Sequence, residues 1–419
     1  MVFNCEINQL ELMQARIKSV PHGWHFTYVG RAFCIQNNLR KPISEEERKA
    51  NPGNYPYYGP TKIQGYIGTY EQDGNYALIG EDGDHFLKFE THSMTQLVDG
   101  KCTVNNHAHV IKGTKDASRE WFYYYFMHRD IFSFLSRQGA GRYKLNKASL
   151  EKMPLLLPPI AEQKKIVQIL STWDKAISAT EKLLTNSQQQ KKALMQQLLT
   201  GKKRLLDGNG MKFSEEWKKV ELGDVFEKVS NGLTYDANSL DGLPVTRIET
   251  ISTGRVNFEK VGWAPDCDNT RRFKLNPGDI LYSHINSLEH IGRVAYFNDG
   301  NPLYHGMNLL LLRAKKQNNS LFLFHLLNSQ VGKKYAKTYA KSAVNQASIS
   351  TTDIKTFKVF IPEILEQQKI ATVLSAADAE IATLEKKLTC LKDEKKALMQ
   401  QLLTGKHRVK VDAEEAVSA

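Results

Sequence analysis

The sequence predicts an α+β protein built twice over. Two globular mixed domains are separated by two long antiparallel helices, which form a coiled-coil spacer about a pseudo-twofold axis. Three observations carry this reading. Residues 191–202 and 395–406 both read KKALMQQLLTGK, 204 positions apart. The match extends without a gap over 158–204 and 362–408, with 27 identities in 47 positions. That period lies far beyond the ~20–50 residues of solenoid and propeller repeats, so it marks two large tandem units. The rest of each unit is filled by short strand-like runs between turn signals.

In chain order, the first globular domain takes residues 1–157. A strand is expected at 76–79 before Gly80, and an apolar helix near 120–135. The six consecutive aromatics Trp121, Phe122, Tyr123, Tyr124, Tyr125 and Phe126 read better as a buried helix than as a base-stacking platform. Leu155-Leu156-Leu157 forms a short strand before Pro158. The first spacer helix, 158–204, opens after Pro158-Pro159 and closes at Gly201, both suited to those ends. Its seam is Ile166, Leu170, Trp173, Ile177, Leu184, Leu194 and Leu198, weakened in the middle by Thr180, Ser187 and Lys191.

A linker follows at 205–210, with two glycines and an Asn. The second domain, 211–361, opens on Trp217, Gly223 and Phe226, which echo Trp24, Gly30 and Phe33. Strands are expected at 279–282, 292–297 and 308–313, a helix at 321–327, and a closing strand Val359-Phe360-Ile361. The second spacer helix, 362–408, has the stronger seam: Ile370, Leu374, Ala377, Ile381, Leu384, Leu388, Leu391, Leu398 and Leu402, broken only by Lys395. A seven-residue repeat sustained this long is a coiled-coil pattern. At 1.5 Å per residue, ~40 residues span ~60 Å. Residues 409–419 read as a flexible tail.

Composition narrows the setting. The 419 residues carry a net charge of +12, which favours a polyanionic partner such as nucleic acid. The five cysteines, Cys5, Cys34, Cys102, Cys267 and Cys390, form no C-x-x-C, so a reducing cytoplasm is expected and no disulfide framework. No apolar run is long enough to span a membrane.

Taken in order, Tyr57-Tyr58-Gly59, Gly65-Tyr66-Ile67 and residues 78–83 (LIGEDG) in the first half, with 275–279 (LNPGD), Asn345-Gln346 and Ile349-Ser350 in the second, resemble the specificity subunit of a type I restriction–modification system. Glu162-Gln163-x-Lys165-Ile166 and Glu366-Gln367-x-Lys369-Ile370 open the two helices in that family's manner, and LLTGK closes both. The resemblance covers essentially the whole chain, beyond an N-terminal extension of about 20 residues. It implies a non-catalytic subunit that binds a split double-stranded DNA target and gathers two methyltransferase subunits and the restriction motor-nuclease subunits.

The residues agree with a non-catalytic role. Amino-methylation needs an Asn/Asp-Pro-Pro-aromatic loop. Asn51-Pro52-Gly53 and Asn276-Pro277-Gly278 are the nearest matches and read as turns. No phosphate-binding G-x-x-x-x-G-K-[ST] loop is present. His22, His25, His107 and His109 pair closely but lack further ligands at useful spacing, so neither metal nor cofactor is expected.

Affinity for DNA comes mainly from Lys and Arg on phosphates, and specificity from side chains at base edges. Lys333, Lys334, Lys337 and Lys341 lie at helical spacing with no acid between them, and Lys333, Lys337 and Lys341 form one stripe. Arg137, Arg142, Lys144 and Lys147 form a basic segment in the first half, looped by Gly139 and Gly141. At the 204-residue offset, Arg137 falls on Lys341 and Arg142 on Gln346. Candidates for base readout are Gln64, Asn105 and Asn106 in the first domain, and Arg247, Arg271, Arg272, His284 and Asn286 in the second. The competing reading is a stand-alone nucleic-acid-binding adaptor without enzymatic partners.

Overall fold

The computed structural model describes residues 19–138, 142–343 and 346–411. The expected N-terminal extension, Gly139, Gly141, Asn345 and most of the expected tail lie outside the described residues. The chain forms two compact units: one takes the residues up to Thr180 and from Lys387 onward, the other Glu181–Lys386. The boundary therefore falls inside both long helices.

In the first unit, β1 (His25–Tyr28) runs into one helical turn, α1 (Val29–Ala32), and then β2 (Cys34–Ile35). An insertion holding β3 (Pro52–Tyr58) and β4 (Ile63–Ile67) follows, then β5 (Gln72–Gly80), β6 (Thr95–Val104) and β7 (Ala108–Lys112). The sheet order is β2-β7-β5-β6-β3-β4. It is antiparallel except where β3 joins β6. The aromatic helix α2 (Arg119–Phe126) packs on β5 and β6, with Trp121, Phe122, Tyr124, Tyr125 and Phe126 buried. Burying one such side chain contributes about 1.5–3 kcal/mol. The helix ends well short of the expected residue 135. Asp130 Oδ1 accepts from Phe132 N at 2.9 Å, and residues 132–134 form a separate tight turn. The hairpin β8 (Ser136–Gln138) and β9 (Arg142–Lys144), the turn α3 (Lys147–Glu151) and β10 (Pro154–Leu157) lead into the long helix α4 (Ile160–Leu198).

Residues 205–210 fold as a tight turn. Asp207 Oδ1 accepts from Asn209 N at 2.8 Å and Met211 N at 2.9 Å, and Leu206 bridges to Lys212. The second unit then repeats the first with β11 (Lys218–Glu221), α5 (Leu222–Val225) and β12 (Phe226–Asn231). Its insertion contains β13 (Leu243–Val245) and β14 (Gly262–Ala264). Next come β15 (Ile280–Tyr282), β16 (Ile285–Asn286), β17 (Val294–Tyr296) and β18 (Leu310–Ala314). Two helices, α6 (Ser320–Asn328) and α7 (Gln330–Tyr339), precede the hairpin β19 (Lys341–Ala343) and β20 (Gln346–Ser348). The chain closes with α8 (Thr351–Lys355), β21 (Lys358–Ile361) and the second long helix, α9 (Ile364–Leu402).

The sheet order β12-β18-β15-β17 reproduces β2-β7-β5-β6 strand for strand. From β1 and α1 to β11 and α5 the sequence offset is 193, and from α3 and β10 onward it is 204. The two units thus share one frame and differ chiefly in what is inserted between its first two strands.

Within each unit, segments of the two long helices run antiparallel. As α4 advances from Glu162 to Asp174 in the first unit, the partners recede from Arg408 to Lys395. In the second unit Glu366 pairs with Arg204, and Asp378 with Lys191. Of the seam residues, Ile166, Leu170, Leu198, Ile370, Leu374, Ile381 and Leu402 are buried. Trp173, Ile177, Leu184, Leu194, Ala377, Leu384, Leu388, Leu391 and Leu398 are half-buried. Both helices close on left-handed glycines, Gly201 at φ 69° and Gly405 at φ 68°. The six-residue-back bonds Lys203 N to Gln197 O (3.1 Å) and His407 N to Gln401 O (3.2 Å) complete both caps.

The Glu-Gln pair opening each helix is a clasp. Glu162 accepts from Arg408 Nε (2.7 Å) and Nη2 (2.8 Å) and from Trp24 Nε1 (2.9 Å). Glu366 accepts from Arg204 Nε and Nη2, each at 2.7 Å, and from Trp217 Nε1 at 3.2 Å. Next to them, Gln163 Oε1 accepts from Ser118 N and Gln367 Oε1 from Asn319 N, each at 2.9 Å. Ser118 and Asn319 are the N-caps of α2 and α6, so each glutamine ties a core helix to a long one.

Candidate nucleic-acid interface

In the first unit four loops meet at one end of the sheet. The segment after β5 anchors the basic hairpin, with Leu145 N donating to Glu81 O at 2.7 Å and Gly83 N to Tyr143 O at 3.2 Å. The β6–β7 turn joins it through Glu81 N to His107 O at 2.8 Å. The β3–β4 turn is held by Asn105 N to Tyr58 O at 3.0 Å and Gln96 Nε2 to Gly59 O at 2.9 Å.

This end gathers most of the candidates in the first half. Gln64 is exposed on β4. Asn105 is only 3% exposed and spent on its neighbours, while Asn106 is exposed and its carbonyl accepts from Arg40 Nη1 at 3.0 Å. Arg137 and Arg142 are exposed on opposite strands of the hairpin, Arg137 lying 5.8 Å from the centre of the Tyr143 ring. Lys144 reaches to 3.3 Å from Glu81, and Lys147 lies 3.7 Å from Glu151 on α3.

Sequence reasoning missed the network beneath the hairpin. Burial alone would raise the Glu81 carboxyl, but hydrogen bonds from the permanently charged Arg40 and from Lys144 bring it below its usual range. His109 Nε2 donates to Leu145 O at 2.7 Å while its Nδ1 accepts from Asn37 Nδ2 at 2.8 Å. Burial lowers its pKa, so the ring is neutral and neither nitrogen is open to a metal. His107 Nδ1 lies 2.8 Å from Asp82.

The second unit builds the same end from different side chains. Ile349 N donates to His284 O at 2.8 Å, as Leu145 does to Glu81, so His284 occupies the place of Glu81. Burial pushes the His284 pKa down to about 4 and leaves the ring neutral. Asn286 is spent locally, donating to Ser283 Oγ at 3.1 Å and accepting from Ser287 N at 2.9 Å. Gln346 is exposed at the start of β20. From the insertion, Arg247 is 3.4 Å from Glu249, Arg271 is 2.7 Å from Asp266, and Arg272 is exposed with no ion pair among the described residues. Thr246 and Phe273, beside Arg247 and Arg272, bond to Gly306 N (2.9 Å) and His305 N (2.8 Å), which brings both segments to the same end.

Lys333, Lys334 and Lys337 are exposed on α7, with no carboxylate partner among the described residues. The expected stripe stops there. Ala340 is extended at φ −64° and ψ 121°, so Lys341 falls on β19, 3.8 Å from Asp353. Lys333 and Lys337 instead share a cleft of about 860 Å³ with Arg255, Arg293 and His290, basic residues that spacing did not reveal. Of the two Asn-Pro-Gly segments, Asn276 forms the expected turn, with Asp279 N bonded to its carbonyl at 3.0 Å. Pro52 and Gly53 instead begin β3, because Asn51 ends a short helix and the chain turns extended there.

The sequence model of the type I restriction modification DNA specificity domain matches this chain twice, over residues 7–187 and 214–392. The chain belongs to that family. Among its relatives, the provisionally named type I restriction enzyme MjaX specificity subunit of Methanocaldococcus jannaschii is 43% identical over 196 residues, only 45% of this chain and 46% of that protein. The type I restriction enzyme MjaVIII specificity subunit of the same organism is 25% identical over 93% of this chain and 94% of its own length. The type I restriction enzyme EcoKI specificity subunit of Escherichia coli is 27% identical over 69% and 64%. The crystal structure of the S subunit of a type I restriction–modification system from M. genitalium shares the fold, with a TM-score of 0.64 at 14% identity over 92% of this chain and 97% of that one. Among the described residues, no helix is long and apolar enough to cross a membrane.

Proposed function

We propose that the chain is the DNA-recognition subunit of a type I restriction–modification complex. Each globular domain reads one half of a bipartite double-stranded target, and the paired helices set the unread gap. The chain contributes no active site. Methyltransferase subunits supply the methyl donor and the chemistry, and restriction motor-nuclease subunits complete the assembly.

One observation carries this reading. A single four-stranded frame is used twice, with unrelated insertions in the same slot, and the insertions and basic hairpins converge on the same end of each frame. Two readers of different sequences need that arrangement. Two methyltransferase copies are favoured by a pair of equivalent clefts. One is lined by Tyr124, Asp174 and Lys395, the other by His325, Asp378 and Lys191, positions related by the repeat. Purified chain given labelled S-adenosylmethionine and DNA should transfer no methyl groups until the methylating subunit is added. Transfer by the chain alone would refute the assignment.

A further inference from the structure

Gln64 and Asn105 are both candidates for base readout, and the geometry gives them different jobs. Asn105 Oδ1 accepts from His107 N at 2.8 Å, which fixes which end of its amide is oxygen. Its Nδ2 then donates to Gln64 Oε1 at 3.1 Å. Asn105 is 3% exposed, so this relay is internal, while Gln64 is exposed. Gln64 Nε2 makes no hydrogen bond among the described residues. The neighbouring turn also leaves room for the amide. A methyl group added at Gly59 would lie 2.5 Å from Gln64 Cδ and 2.6 Å from Nε2, so the turn has no side chain where the Gln64 amide rests.

A glutamine reads adenine with both ends of its amide, accepting from N6 and donating to N7. Here the accepting end is turned toward the buried Asn105, which leaves Nε2 as the end offered to a base edge. We propose that Gln64 reads the first half-site as a donor only, directed at the acceptor edge of guanine (O6 and N7) or thymine (O4), and that Asn105 is the positioning residue that sets this polarity. Adenine N6 and cytosine N4 would meet it donor to donor. The inference rests on the DNA-recognition reading and adds to it a polarity at one base position.

The polarity can be inverted by one atom. In Gln64→Glu, one carboxylate oxygen keeps the bond from Asn105 and the other offers an acceptor outward. In Asn105→Asp, one carboxylate oxygen keeps His107 N and the other draws Gln64 Nε2 inward, turning Oε1 out. The full chain, assembled with its methylating subunit, would be given a randomised DNA library and the methylated products sequenced. Both variants should exchange a guanine or thymine preference for adenine or cytosine at one position of one half-site. A swing of about tenfold is expected, the scale of one good base contact. The other half-site should stay unchanged. Asn105→Ala should relax the position without inverting it.

Because Gln64 is exposed, its variant decides the matter even if the buried Asn105→Asp does not fold. Unchanged base preference in an active Gln64→Glu assembly, or equal loss across both half-sites, overturns the proposal. A wild-type assembly that selects no split motif instead overturns the DNA-recognition reading itself.

Discussion

Glu366 has a side chain with no exposure, and Glu162 one with only 4%. A carboxylate so placed is tolerable only when its lone pairs are filled, and in each unit an arginine beyond the opposite helix end and a tryptophan before the first strand fill them. Removing one partner strands the charge, typically at a cost of about 3–5 kcal/mol. Arg204 is 21% exposed and Arg408 42%. Arg204→Ala should therefore destabilise the protein by about 3 kcal/mol, and Arg408→Ala by less, because water can replace the more exposed guanidinium. Urea denaturation would show it, and equal, negligible shifts in both variants would contradict the clasp. The glutamates were visible in the sequence as a family signature. Their arginines were not, since partners 162 and 246 positions away leave no local pattern.

At the scale of elements, the sequence read the long helices well because a 3.5-residue period sustained over about 40 residues, with Pro before and Gly after, admits few alternatives. It misread the polar seam positions. Lys191 and Lys395 looked like breaks, yet they pair with Asp378 and Asp174, and Ser187 donates to Glu380 at 2.9 Å. Such internal polar pairs favour one register over its neighbours, as buried polar residues do in coiled coils. The Lys333–Lys341 stripe failed for the opposite reason: periodicity cannot see a helix end set by tertiary packing. Should helix length fix the unread gap, excising one heptad from each helix shortens the spacer by about 10 Å, or roughly three base pairs. The variant should change the gap or lose binding to the intact target, with half-site preferences kept. A methylation motif with its gap unaltered would contradict the ruler.

For the whole molecule, the duplication, the order of domains and helices, and the family were all legible in the sequence, because they rest on repeats and motifs in linear order. The identity of the two frames was not. Short strands such as β2 and β15 have too few residues for a period, and the insertions blur the offset from 193 to 204. The interface was legible as chemistry but not as geometry. Composition pointed to Arg, Lys, Gln and Asn in loops, yet only folding separates the exposed Gln64 from the buried Asn105, or brings His284 to the place of Glu81. In the proposed function, two such ends on one chain confer a split DNA specificity on partners that do the chemistry. Base-resolution methylation mapping of the source genome, with this gene intact and deleted, tests that most directly. Deletion should remove one bipartite methylated motif and leave every other motif in place. A genome whose methylated motifs all survive the deletion would contradict it.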